Sequence, residues 1–130
     1  MIKIPKGTSK EEVYERRTII IENLQHLIGT AIRCKALKNQ LVHFDFYSID
    51  ETATHASKRY ESTLAVFRLT EVMEKAILKE EKKTKPGDKN QKPYSKLLIM
   101  LHDGIKLTVG VQKTTQEKVQ YCLTALGSTF

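Results

Sequence analysis

The dipeptide Asp103-Gly104 separates a buried-type run, residues 94–102, from residues 105–112, which alternate in polarity, and few folds accept that arrangement. Asp-Gly favours a two-residue hairpin because both turn positions need positive φ. Closing the hairpin there sets His102 opposite Ile105, Met100 opposite Leu107 and Leu98 opposite Val109, so one face of an antiparallel pair gathers apolar side chains. A turn at 114–117 then leads to residues 118–126, where Val119, Tyr121, Leu123 and Ala125 alternate with Lys118, Gln120, Cys122 and Thr124. Strict alternation puts the second set on one side of the sheet.

The first third of the chain reads differently. Ser9-Lys10-Glu11-Glu12 is a capping box that opens a helix, Val13, Ile20, Ile21, Leu24, Leu27 and Ile28 recur at helical spacing, and Gly29 ends the run. Arg16, Arg17 and His26 are expected on its solvated side. Residues 31–37 and 40–48 predict a hairpin whose turn is Leu37-Lys38-Asn39, pairing Ile32 with Phe44, Cys34 with Val42 and Arg33 with His43. Residues 48–60 are rich in cap formers and predict a short polar helix. Leu64, Val66, Phe67 and Leu69 then return to the core, and Thr70 caps a second amphipathic helix bearing Val72, Met73, Ala76 and Ile77.

The fold class expected is therefore α+β, with helices packed on one face of a mainly antiparallel sheet of about four to five strands. Ile32, Phe44, Leu98, Met100, Leu107, Val109, Tyr121 and Leu123 should lie in or near its core. At 130 residues, 40% hydrophobic and 28% charged, one globular domain is expected. No apolar run approaches the roughly 20 residues of a spanning helix, and the opening residues lack an apolar signal core, so no membrane partner and a cytoplasmic location are expected. Cys34 and Cys122 are read as buried free thiols.

Charge is the main compositional clue to a partner. The chain carries +7, and residues 79–96 hold seven lysines against Glu80, Glu81 and Asp88, more than half of that excess. The stretch 79–93 contains Pro86-Gly87 and no hydrophobic period, so it is expected to be a flexible, dispensable lysine-rich loop. A basic balance favours nucleic acid.

Motifs for phosphate loops, dinucleotide binding, zinc proteases and nucleophile elbows are absent, and neither a metal nor another cofactor is expected. What remains is Glu51-x-x-x-His55-x-x-Lys58-Arg59, which shares one face if helical. Metal-independent RNA cleavage needs a base for the ribose 2′-hydroxyl, an acid for the leaving oxygen and cations for the phosphorus-centred charge. Histidine is the side chain suited to proton transfer near neutral pH, which makes His55 the candidate, while Lys58 and Arg59 offer charge and Glu51 could fix the imidazole tautomer.

The run from Phe44 to Ala76, with Ile49-Asp50-Glu51-Thr52-Ala53-Thr54-His55 and Leu69-Thr70-Glu71-Val72-Met73-Glu74-Lys75-Ala76, followed by the strands Lys106-Leu107-Thr108-Val109-Gly110-Val111 and Val119-Gln120-Tyr121-Cys122-Leu123-Thr124-Ala125, resembles small domains of phage and conjugative-element polyvalent proteins. These are similar to the barnase, EndoU, colicin and RelE-like ribonuclease superfamily. The resemblance spans roughly residues 40 to 126 and rests on element order and short patterns. It implies a site between a helical histidine, His55, and a hydroxyl residue of the last strand, Thr124, with Lys58 or Arg59 as the nearby cation and Gln120 in support. The chain departs from the active nucleases in lacking a second acid/base histidine and a basic residue beside Thr124. Three functions therefore stay open: a mobile-element RNase, a non-catalytic nucleic-acid-binding module, and a module that binds other proteins or domains of the element.

Overall fold

The structure, a computed structural model, describes residues 3–89 and 91–126. Met1 and Ile2 of the opening segment, and Asn90 within the expected lysine-rich loop, lie outside the described residues. Ten regular elements follow in order: α1 (Lys10–Leu24), β1 (Ala31–Cys34), β2 (Gln40–His43), α2 (Phe46–Ala56), α3 (Tyr60–Val66), α4 (Leu69–Lys75), β3 (Ile77–Lys83), β4 (Tyr94–His102), β5 (Ile105–Gln112) and β6 (Lys118–Ala125). The class is α+β. The sheet has six strands in the order β1-β2-β6-β5-β4-β3 where four to five were expected, and it is mixed: β2 and β6 run parallel, pairing Val42 with Lys118 and His43 with Val119. No helix among the described residues is long and apolar enough to cross a membrane.

The Asp103-Gly104 hairpin forms in the expected register, with both residues at positive φ. Leu98, Met100, Ile105, Leu107 and Val109 enter the main core beneath the helices, where Ile20, Phe44, Ile49, Val66, Val72 and Met73 meet them. On the other face Gly110 leaves room for the Tyr94 ring, which lies 2.6 Å from where a Cβ would stand.

Elsewhere local hydrogen bonding overrides the sequence pattern. The Ser9 capping box forms as read. Arg16, however, is fully buried: Nε donates to the Ser57 carbonyl at 2.7 Å, and Nη1 donates to Pro5 and Gly7. Its guanidinium thus pins the opening segment and the end of α2 to α1. In the first hairpin residues 35–37 coil into a 3-10 turn and take length from β1, so Ile32 pairs with Val42 and Cys34 with Gln40, two residues from the expected register. Asp45 ends the expected long strand. Its side chain accepts from the Ser48 backbone N–H while Ser48 Oγ accepts from the Asp45 N–H, a capping box that turns Phe46 and Tyr47 into the first turn of α2. Leu64 and Phe67, expected in the core, are exposed because the short α3 buries its other face, and Ile77, expected on the second amphipathic helix, is exposed because that helix ends at Lys75 and Ile77 opens the edge strand β3. Arg68, not Thr70, stands at the N-cap of α4.

The first part of the expected lysine-rich loop is also a strand. Residues 77–83 pair antiparallel with β4 as an edge strand, through a bulge at Lys79. Lysines and a bulge on such an edge disfavour pairing with other chains.

Arg68, Glu71, His102 and Asp103 tie α4 to the β4–β5 turn: Arg68 donates to both carboxylates, and Glu71 Oε2 lies 2.7 Å from His102 Nε2. His102 is therefore a structural partner. The Arg68 hydrogen bond, then that of His102, holds the Glu71 carboxyl at about 2, below its ordinary 4.5. A depressed acid stabilises the fold above its unfolded pKa and loses that contribution as pH falls toward the folded one. Thermal unfolding followed from pH 6 to about pH 2 should show Glu71→Gln less stable than wild type above pH 4.5, with the two curves converging near the acid end. Parallel curves would show that the pair carries no linkage. Gly110→Ala should cost about 1–3 kcal/mol in urea unfolding, as overpacking does; an unchanged midpoint would mean the Tyr94 ring yields freely.

Candidate functional site

β6 carries one residue more than β5 opposes. Thr108 faces Cys122 and Val109 faces Gln120, so Tyr121 is a bulge residue. The bulge breaks the expected alternation. Leu123 stays in the main core, whereas Val119 and Tyr121 join Tyr94 and Leu97 in a smaller cluster on the opposite face. Gln120 is turned to the helices, where its Nε2 donates to Thr52 Oγ1 at 2.8 Å and it is 1% exposed. It holds α2 and does not line the site.

β2 leaves β6 after its first two residues, and α2 and α3 take over that edge. Ser62 Oγ accepts the Ala125 N–H, and Arg59 donates to the Ala125 and Leu126 carbonyls at 3.2 and 3.4 Å. Arg59 is thereby committed to holding the strand. Because α2 lies beside β6, its Glu51 and His55 reach the sheet's helix-free face.

There a groove of about 440 Å³ is lined by Glu51, His55, Thr124, Cys122, Thr108 and Lys106, with Lys82, Lys83 and Lys85 along its far side. Of the residues singled out in the sequence, His55, Glu51 and Thr124 come together in it. Lys58 is exposed and does not line it. The groove cations instead come from β5 and from the end of β3, a contribution hidden in the sequence because both pairings had to be known first.

His55 Nε2 lies 2.9 Å from Glu51 Oε2, with the imidazole 44% exposed and the carboxylate 15%. A carboxylate only accepts, so Nε2 carries the proton at this contact, and in the neutral ring Nδ1 is the nitrogen with the lone pair. Glu51 also accepts from the Tyr121 hydroxyl; burial first and then the Glu51 charge push that phenol well above its ordinary range. Gln91, nearly buried, reaches the same hydroxyl, while its Oε1 accepts the Lys85 N–H at 2.8 Å. A polar chain thus runs from the 84–93 segment through Gln91, Tyr121 and Glu51 to His55. The Cys122 thiol is pushed up to about 12, chiefly by burial and then by Glu51, so it is a poor nucleophile at neutral pH. Cys34 is buried and its thiol is likewise raised by burial.

Among the described residues no group of three or more His, Cys, Asp and Glu side chains could hold a metal ion. The chain matches no family model, no curated protein and no solved structure.

Tyr121→Phe removes the hydroxyl that joins Glu51 to Gln91. Amide exchange at Lys85 should quicken roughly 5- to 10-fold, the equivalent of one hydrogen bond of about 1 kcal/mol, while β4 and β5 amides keep their protection. Unchanged exchange at Lys85 would show that Gln91 is held by other contacts.

Proposed function

We propose that the protein acts on nucleic acid as a metal-independent RNase, with His55 as its proton-transfer group. The observation that carries this reading is the convergence of His55, Thr124 and Lys106 in one groove, with Glu51 fixing the imidazole. In this reaction His55 Nδ1 takes the 2′-hydroxyl proton, the 2′-oxygen attacks phosphorus, and the bond to the 5′-oxygen breaks with the proton returned to that leaving oxygen. The products are a 2′,3′-cyclic phosphate and a free 5′-hydroxyl. Lys106 and Thr124 supply charge and a hydrogen bond to the phosphoryl oxygens. The resemblance to phage and conjugative-element domains of the barnase, EndoU, colicin and RelE-like kind fits this reading, as does a cytoplasmic role within a mobile element.

A second reading, a non-catalytic nucleic-acid-binding module, is favoured by one observation. Among the described residues His55 is the one histidine lining the groove, His102 being engaged by Glu71 and His26 and His43 lying elsewhere. Proton return then falls to His55 itself or to a lysine.

Incubation with single-stranded RNA separates the two. A nuclease should cleave in EDTA and leave 2′,3′-cyclic ends, and His55→Ala should slow cleavage roughly 10²-fold or more with little loss of stability. RNA bound but uncut, with His55→Ala binding as wild type does, supports the binding module. Failure to bind RNA or DNA at low salt overturns both and leaves a protein-interaction module of the element.

A further inference from the structure

A second hollow, of about 470 Å³, adjoins the groove on the side away from His55. It is lined by Lys85, Lys89 and Lys92 of the 84–93 segment and by Lys113 of the β5–β6 turn. Lys85, Asp88 and Gln91 border both hollows, so the two are neighbours. Three features set this segment apart from an ordinary solvated lysine run. Its backbone is folded back on itself, with Asp88 N–H donating to the Lys85 carbonyl, Gln91 N–H to Asp88 and Tyr94 N–H to Gln91. It is pinned to the sheet by the nearly buried Gln91 and by the Lys113 N–H, which donates to the Pro93 carbonyl at 2.9 Å. Its cations also outnumber the acids beside them, Asp88 at both hollows and Glu51 in the groove: among the described residues, Lys82, Lys83, Lys85, Lys89, Lys92, Lys106 and Lys113 enter none of the ion pairs.

Cations outside any ion pair, brought together from three chain segments along a channel of two neighbouring hollows, suit a ligand with anions repeated at intervals. We infer that the bound strand does not end at the His55 groove: it continues over Lys82 and Lys85 into the Lys89, Lys92 and Lys113 hollow, so the protein's ligand is an extended single-stranded polynucleotide, not a mononucleotide or dinucleotide. The inference rests on the nucleic-acid reading and deepens it. Seating the strand beside Gln91 also places it at the far end of the chain that leads through Tyr121 and Glu51 to His55.

The test is fluorescence anisotropy with labelled single-stranded RNA of about 4 to about 16 nucleotides, the span that single-strand grooves occupy. It compares wild type, the Lys89/Lys92/Lys113→Gln variant, whose three lysines line the second hollow and not the His55 groove, and a charge-matched Lys10/Lys35/Lys38→Gln control remote from the channel. His55→Ala is added to every protein so that no probe is cut. Wild-type affinity should climb with length and then level off. The channel variant should bind the shortest RNA as wild type does, gain little with length, and show a salt slope smaller by roughly 2 on the longest, since each single-strand phosphate contact contributes about 0.7. The control should follow wild type at every length. Length-independent wild-type affinity, or a control that loses as much as the channel variant, overturns the inference while leaving the groove reading intact. Absence of binding at any length and low salt overturns the nucleic-acid reading and this inference with it.

Discussion

Tyr121 occupies the point where β6 has one residue too many for β5, and both faces of the sheet depend on that surplus. Before the bulge, Val119 points to the helix-free face and Gln120 to the helices; beyond it Cys122 and Thr124 share the helix-free face while Leu123 seals the core. A regular strand could not present Gln120 to Thr52 and also bring Tyr121, Cys122 and Thr124 to one surface. The bulge thus lets one strand anchor α2 with one side chain and furnish the groove with the next.

Helix α2 is the other half of that arrangement. Its sequence is too polar to be a stable helix in isolation, and it is held by contacts at both ends. Asp45 and Ser48 satisfy the first orphan N–H groups, the Arg16 guanidinium takes the Ser57 carbonyl just past the last turn, and Arg17 pairs with Asp50 between them. With its apolar face of Ile49, Ala53 and Ala56 buried, the remaining face is free to carry Glu51 and His55. The polarity that weakens the helix locally is what equips it chemically.

The parts of the fold legible in the sequence were those fixed by residues close together along the chain. The Ser9 box, the Asp103-Gly104 turn and the β4–β5 register are of this kind. The misread parts turn on competition between local signals or on distant partners. Asp45-x-x-Ser48 is a cap that can be read locally, but the aromatic pair Phe46-Tyr47 suggested a longer strand. Ile77–Lys83 has no apolar alternation because an edge strand with both faces exposed needs none. Arg16 reads as a solvated helical residue until the carbonyls of Pro5, Gly7 and Ser57 are known to surround it. In the candidate site, the Glu51–His55 spacing was visible as a helical i,i+4 pair. Lys106, Lys82 and Tyr121 were not, since strand order and a bulge decide which residues share a surface with them. Arg59 carried the right charge for a site, and its geometry spends that charge on two backbone carbonyls.

β6 comes last in element order yet lies third in the sheet, between β2 and β5. Both of its neighbours are made earlier, so during synthesis each presents an unpaired edge until residues 118–125 leave the ribosome. The β1–β2 hairpin with its helices and the β3–β4–β5 meander can each organise from nearby contacts, but in the sheet they are joined through the final strand that lies between them. Joining the two therefore takes long-range pairing, which is slow by the standards of local contacts, and the candidate groove, built on that same strand, needs that pairing to exist.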